Sequence, residues 1–154
     1  MIARGRRRRL AARGGNGRTG RRLDRIRHEH LIGRQPGALG DVGQRAVIQV
    51  VLNRARHPAF ANSVCGVVFE GSERATGCQF SFTCDGSLAR QYDPASWAAA
   101  RGRAEQALKG YVFSSVGNAT HYHTDWVFPW WSPKLVKLAR VETHLFLRWP
   151  GYWG

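Results

Sequence analysis

The sequence predicts an α+β domain, with helices first and a small antiparallel sheet last. Three observations carry that expectation. Apolar residues recur at helical spacing from Val42 to Ala55, an Asp93-Pro94 start opens an alanine-rich stretch that Gly110 closes, and the segments after Gly110 are short and rich in β-branched and aromatic residues.

The first helix is expected to begin near Asp41, with Asp41 as its N-cap. Val42, Ala46, Val47, Val50, Val51 and Ala55 form its apolar stripe, and Gln44, Arg45, Gln49 and Asn53 fall mostly on the opposite face. His57-Pro58 ends it, because the residue before proline avoids helical backbone. Ser63 caps a short second helix through Val64, Val67 and Val68. Residues 71–86 are turn-rich, with Gln79 to Thr83 as an extended segment. The third helix has Asp93 at its cap and Pro94 in its first turn, and runs through Trp97, Ala100, Ala104 and Leu108. Short strands are expected at 111–116, 119–123, 135–140 and 142–149.

The 154 residues suffice for one domain with a modest core, and 43% hydrophobic with 22% charged residues is an ordinary globular balance. The net charge of +14 is not ordinary, and it is unevenly spread. Residues 1–34 carry twelve arginines against Asp24 and Glu29, whereas the rest of the chain is only mildly basic. Residues 1–39 are therefore expected to be a basic, Arg/Gly-rich leader without stable structure, and residues 40–154 the domain. No stretch is apolar enough to span a bilayer, and Leu10-Ala11-Ala12 is too short for the apolar region of a secretory signal. Cys65, Cys78 and Cys84 form no C-x-x-C pair, which argues against a zinc ribbon. One disulfide between any two of them, or three reduced thiols, fits the spacing.

Two blocks have more polar, aromatic and turn-forming residues than a core would tolerate: Gly77 to Gly86 and Ala119 to His123. On a strand, Thr120 and Tyr122 share one face and His121 and His123 the other. The two histidines could ligate a metal with Asp125 or His144, but two-residue spacing is no zinc signature, and no metal or other cofactor is expected. A groove lined by Gln79, Thr120, His121, Tyr122 and His123, suited to the hydroxyls and amides of a sugar, is the favoured reading. Phe80 and Phe82 should be core. The tryptophans at 126, 130, 131, 149 and 153, with Tyr152, should be mostly packing, with one or two rings stacked on ligand. Cleaving a glycoside needs a carboxylic acid. The candidates are Asp41, Glu70, Glu73, Asp85, Asp93, Glu105, Asp125 and Glu142, none singled out by its context.

In order, the blocks Gly43-Gln44-Arg45-Ala46-Val47, Val50 to Arg54, Ser63 to Val68, Gly77 to Gly86, Ala119 to His123 and Arg148-Trp149-Pro150-Gly151 resemble the SleB-type cell wall hydrolases, which include spore cortex-lytic enzymes. The resemblance spans residues 40–154 and implies a lysozyme-like, lytic-transglycosylase-like fold. It further implies peptidoglycan as substrate, cut between N-acetylmuramic acid and N-acetylglucosamine. One glutamate would protonate the leaving oxygen and then act as base while the muramic 6-hydroxyl attacks. No metal is implied, and action in the periplasm or cell envelope is. The chain is expected to be a monomer whose partners are peptidoglycan glycan strands.

The sequence departs from that family where it matters most. Counting back from Gly43, the family's expected acid falls on Gln35 and its second glutamate on Leu39, neither of which is a carboxylic acid. The abrupt change near residue 40 suits a leader read out of frame or from a misassigned start, or a degenerate paralogue. Three functional expectations follow: a peptidoglycan hydrolase or lytic transglycosylase impaired by loss of its acid, a non-catalytic peptidoglycan-binding module, or, through the arginine leader, a nucleic-acid-binding protein. A basic tail alone gives only non-specific nucleic-acid binding, and the remaining sequence has no recognition motif.

Overall fold

The computed structural model describes residues 39–74 and 77–151. Apart from Leu39 the basic leader lies outside them, as do Gln35, the arginine arm invoked for nucleic acid, Tyr152 and Trp153. Helices α1 (Asp41–Arg56), α2 (Val64–Val68) and α3 (Pro94–Leu108) are followed by strands β1 (His121–Thr124), β2 (Val136–Val141) and β3 (His144–Arg148). The strands form one antiparallel sheet in the order β1-β3-β2, with a bulge between Lys137 and Ala139. None of these helices is long and apolar enough to cross a membrane.

Helix α1 is the centre of the molecule because it is apolar on two sides. Ile48, Val51 and Leu52 pack on Val67 and Val68 of α2, Ala100, Ala104 and Ala107 of α3, and Phe80 and Phe82. Ala46, Val47 and Val50 pack on Val116, Ala119, Val141 and Phe146 on the sheet side. Ser63 caps α2 by accepting from the Gly66 amide at 3.1 Å, and Asp93 caps α3 by accepting from the Ser96 amide at 2.8 Å.

The structure corrects four details. Gln49 and Asn53 do not face away from the core; both are buried. The expected strand over 111–116 is irregular backbone ending in one 3₁₀ turn, Ser114–Val116, because helix side chains satisfy its polar groups instead of a neighbouring strand. The Phe113 amide donates to Gln49 Oε1 at 2.9 Å, and Asn53 Nδ2 donates to the carbonyls of Gly117 and Ala119 at 2.9 and 2.8 Å. Gln49 Nε2 in turn donates to Asn53 Oδ1 at 2.9 Å. The segment expected to be extended at 79–83 contains a 3₁₀ turn over Ser81–Thr83, which still buries Phe80 and Phe82 and leaves Gln79 and Ser81 exposed.

The fourth correction concerns the start of α1. Its N-cap is Gly40, and Asp41 instead pairs with Arg45 and with Arg103 of α3. The capping oxygens come from the far end of the chain. Glu142, in the β2–β3 turn at φ 50°, accepts from the amides of Gly40 and Gly43, both at 3.2 Å. A Cβ at Gly40 or Gly43 would lie 2.8 or 2.7 Å from those oxygens, so the cap requires glycine at both positions. A carboxylate there also complements the positive end of the helix.

Replacing Asn53 by alanine strands the buried Ala119 carbonyl and removes a second bond to the part-buried Gly117 carbonyl, and is expected to cost about 2 kcal/mol, read as a lowered urea midpoint. Glu142→Ala should cost about 1 kcal/mol, with Glu142→Gln losing less, measured by thermal unfolding.

Candidate functional site

A groove of about 500 Å³ opens where the end of α1, the 78–82 loop and β1 meet. Arg54, Gln79, Phe80, Ser81, His121, Tyr122, Trp130, Trp131 and Trp149 are among its lining residues. Three different devices hold its sides. The 78–82 wall is closed by the Cys78–Cys84 disulfide, in which Cys65 takes no part. Its backbone is further anchored by the Gln79 amide, which donates to the Glu70 carbonyl at 3.0 Å. The floor is β1, whose entry is fixed by the Thr120 amide donating to the Leu147 carbonyl at 2.9 Å and by Arg54 Nε donating to the Thr120 carbonyl. The opposite wall is the β1–β2 connection, which folds back over the His121/His123 side of the sheet. There His123 Nε2 meets Ser132 Oγ at 2.8 Å, and Trp131 lies against both histidine rings.

Of the residues expected to hold ligand, Gln79, His121 and Tyr122 are brought together in this groove. Thr120 and His123 are not among the lining residues and are both buried. Thr120 is fully buried; its hydroxyl accepts from the Trp149 amide at 3.0 Å and is 3.0 Å from His121 Nδ1, so it orients the imidazole from behind. His123 fixes the covering connection. Strand alternation places His121 and His123 on one face as expected, but Asp125 is engaged by Arg140, and His144 lies on the other face, opposite Thr124. Among the described residues no group of three potential metal ligands is assembled.

The sequence reading missed Arg54 and expected fewer tryptophans. Trp130, Trp131 and Trp149 all contribute, Trp149 stacked on His121 with ring centroids 6.1 Å apart. The signal for Arg54 was weak, since an arginine following Asn53 near a helix end reads as solvated.

The electrostatics are unusual for a cleft built to cut glycosides. Burial, assisted by the charge of Arg54, pushes the His121 imidazole down to about 4, so it is neutral at ordinary pH. No carboxylate is among the described lining residues. Most carboxylates of the domain are engaged elsewhere: Asp41 with two arginines, Glu73 with Arg74, Glu105 with Arg101 and Asp125 with Arg140. Asp85 accepts from the Ser87 amide, Asp93 caps α3 and Glu142 caps α1. What remains is a surface of indoles, phenyls, a phenol, an amide, a hydroxyl and a neutral imidazole around the Arg54 guanidinium, suited to stacking on pyranose faces and bonding to hydroxyls and acetamides.

His121 also gives the fold a pH dependence. An imidazole in the unfolded chain titrates near 6.5, so between about 4 and 6.5 the unfolded state binds the extra proton. Stability is therefore complete above pH 6.5 and declines as pH falls toward 4, with His144, also depressed by burial, acting in the same direction. The expected NMR midpoint for the His121 ring is near 4, and His121→Phe should flatten the stability profile across that window.

Comparison with known proteins gives consistent results. Residues 40–147 match the family model described as Cell Wall Hydrolase. The fold is similar to the catalytic domain of the germination-specific lytic transglycosylase SleB from Bacillus anthracis, with a TM-score of 0.63 and 24% identity, covering 81% of this chain and 93% of that one. It is likewise similar to the catalytic domain of the Bacillus cereus SleB protein, with a TM-score of 0.62 and 25% identity over 91% of this chain and 98% of that one. No curated protein matches the sequence.

Proposed function

Since the chain belongs to the cell wall hydrolase family, we propose that its groove receives a glycan strand of peptidoglycan, and that the chain with Gln35 in place of an acid binds the strand without cutting it. The observation that carries this reading is the groove lining itself: aromatic and uncharged polar groups suited to a saccharide, a single arginine, and no carboxylate among the described lining residues.

In the chemistry of a lytic transglycosylase, one carboxylic acid protonates the oxygen between N-acetylmuramic acid and N-acetylglucosamine. It then accepts the proton of the muramic 6-hydroxyl as that oxygen attacks the anomeric carbon. The internal nucleophile makes a second carboxylate unnecessary. A carboxamide at position 35 has no proton of suitable acidity to give, and His121, neutral down to about pH 4, is a poor replacement. The groove's remaining work is recognition. The three indoles supply apolar faces for the sugar rings, while Gln79, Ser81 and Tyr122 supply polar contacts at the walls.

The site of action we assign is the cell envelope, specifically the periplasm. The Cys78–Cys84 disulfide supports this, because such bonds persist in oxidising compartments and this one closes the groove wall. The chain is taken to act as a monomer.

The test is sedimentation with insoluble peptidoglycan beside a turbidity assay. The chain should pellet with the polymer and leave its turbidity unchanged, and Gln35→Glu should restore clearing. Clearing by the unaltered chain would mean that an acid lies elsewhere. Failure to pellet would remove the glycan reading altogether.

A further inference from the structure

Arg54 is the one permanently charged side chain among the described residues lining the groove. It projects from the last turn of α1 and is only 2% exposed. Its guanidinium lies 5.1 Å from the ring centre of Phe60 and 5.9 Å from that of Phe80. Nε is used by the Thr120 carbonyl, but Nη1 is buried with no hydrogen-bond partner. No described carboxylate forms an ion pair with it, although the field of Glu70 reaches it. Burial lowers its pKa only to about 10, so it remains a cation at neutral pH.

A buried cation without a counter-charge is costly, and a protein retains one most readily where something else completes it. Low-dielectric walls also focus the field of a lone charge into the cleft they enclose. Here those walls are Phe80, Phe82, Trp130, Trp131 and Trp149, and the neighbouring imidazole is neutral. The floor of the groove is thus positive, and the complementary ligand feature is an oxygen anion on a sugar ring.

In a peptidoglycan strand the carboxylate borne directly by a sugar is that of the lactyl group. The lactyl ether on muramic acid ends in a carboxylate when the stem peptide is absent and in a neutral amide when it is attached. We propose that Arg54 is a specificity-determining residue that selects muramic acid with a free lactyl carboxylate, so that the groove prefers peptide-free strands. This rests on the glycan reading above and adds the feature of the glycan that is recognised.

The test uses the full chain and three labelled ligands of matched length: peptide-free glycan strands, the same strands with every lactyl carboxylate converted to the methylamide, and chitin oligomers. Anisotropy is measured at about 0.5 M salt, which suppresses non-specific attraction to the arginine-rich leader but not an interaction with a buried charge. Free-carboxylate strands should bind about tenfold more tightly than the other two. Arg54→Lys should keep part of that preference. Arg54→Met should abolish it, so that the three ligands bind alike at whatever common affinity the variant retains. Equal binding of the three ligands by the unaltered chain, or a preference that survives Arg54→Met, overturns the proposal while the glycan reading stands. No binding of any of the three removes both. Should Arg54→Met fail to fold, the ligand comparison on the unaltered chain and on Arg54→Lys decides.

Discussion

The backbone of residues 113–120 reaches the sheet without a strand to pair with, and its buried polar groups must be satisfied by something. Three polar positions on one helix supply the answer. Gln49 takes the Phe113 amide, Asn53 gives to the Gly117 and Ala119 carbonyls, and Arg54 gives to that of Thr120. This ladder sets the height and direction at which the chain enters β1, and so where His121 and Tyr122 point. Because unpaired buried amides and carbonyls are expensive, the arrangement has little freedom. The apolar clusters on the two sides of α1 provide bulk stabilisation, while the ladder provides register.

The groove inherits its character from the same helix. Arg54 is both the last rung of the ladder and the source of positive potential on the floor, and it helps keep the imidazole of His121 neutral. Thr120 stands behind that ring as a support, with its hydroxyl shared between His121 and the backbone of Trp149. The sides of the groove are thus fixed by two independent parts of the structure, the ladder beneath β1 and the disulfide that ties the 78–84 loop. Most of the described carboxylates, by contrast, are engaged in caps, ion pairs or a turn.

Much of this was legible in the sequence. Pro58, Ser63, Asp93 and Pro94 announced helix ends, though Asp41 did not prove to be the cap of α1, and alternation placed His121 and His123 together, because these are local rules of backbone chemistry. The order of short motifs pointed to the family later matched over residues 40–147. Less visible was anything that depends on a partner remote in the chain. Gln49 and Asn53 looked solvent-facing because polarity alone does not reveal that a strandless segment waits to be paired. The segment 111–116 has the composition of a strand and lacks only a neighbour. Thr120 and His123 belong to the right block, but packing turns them inward as supports, a distinction that alternation cannot make.

The contact between Glu142 and the first turn of α1 joins residues 102 positions apart. During synthesis the helix therefore leaves the ribosome long before the residue that completes its beginning. At ordinary elongation rates of about 5–20 residues per second, the interval is several seconds or more. Until then the amides of Gly40 and Gly43 lack the carboxylate that receives them. Closure of the β2–β3 hairpin is thus the event that joins the two ends of the domain, and a chain cut short of it has neither the cap of α1 nor the strand that pairs with β1.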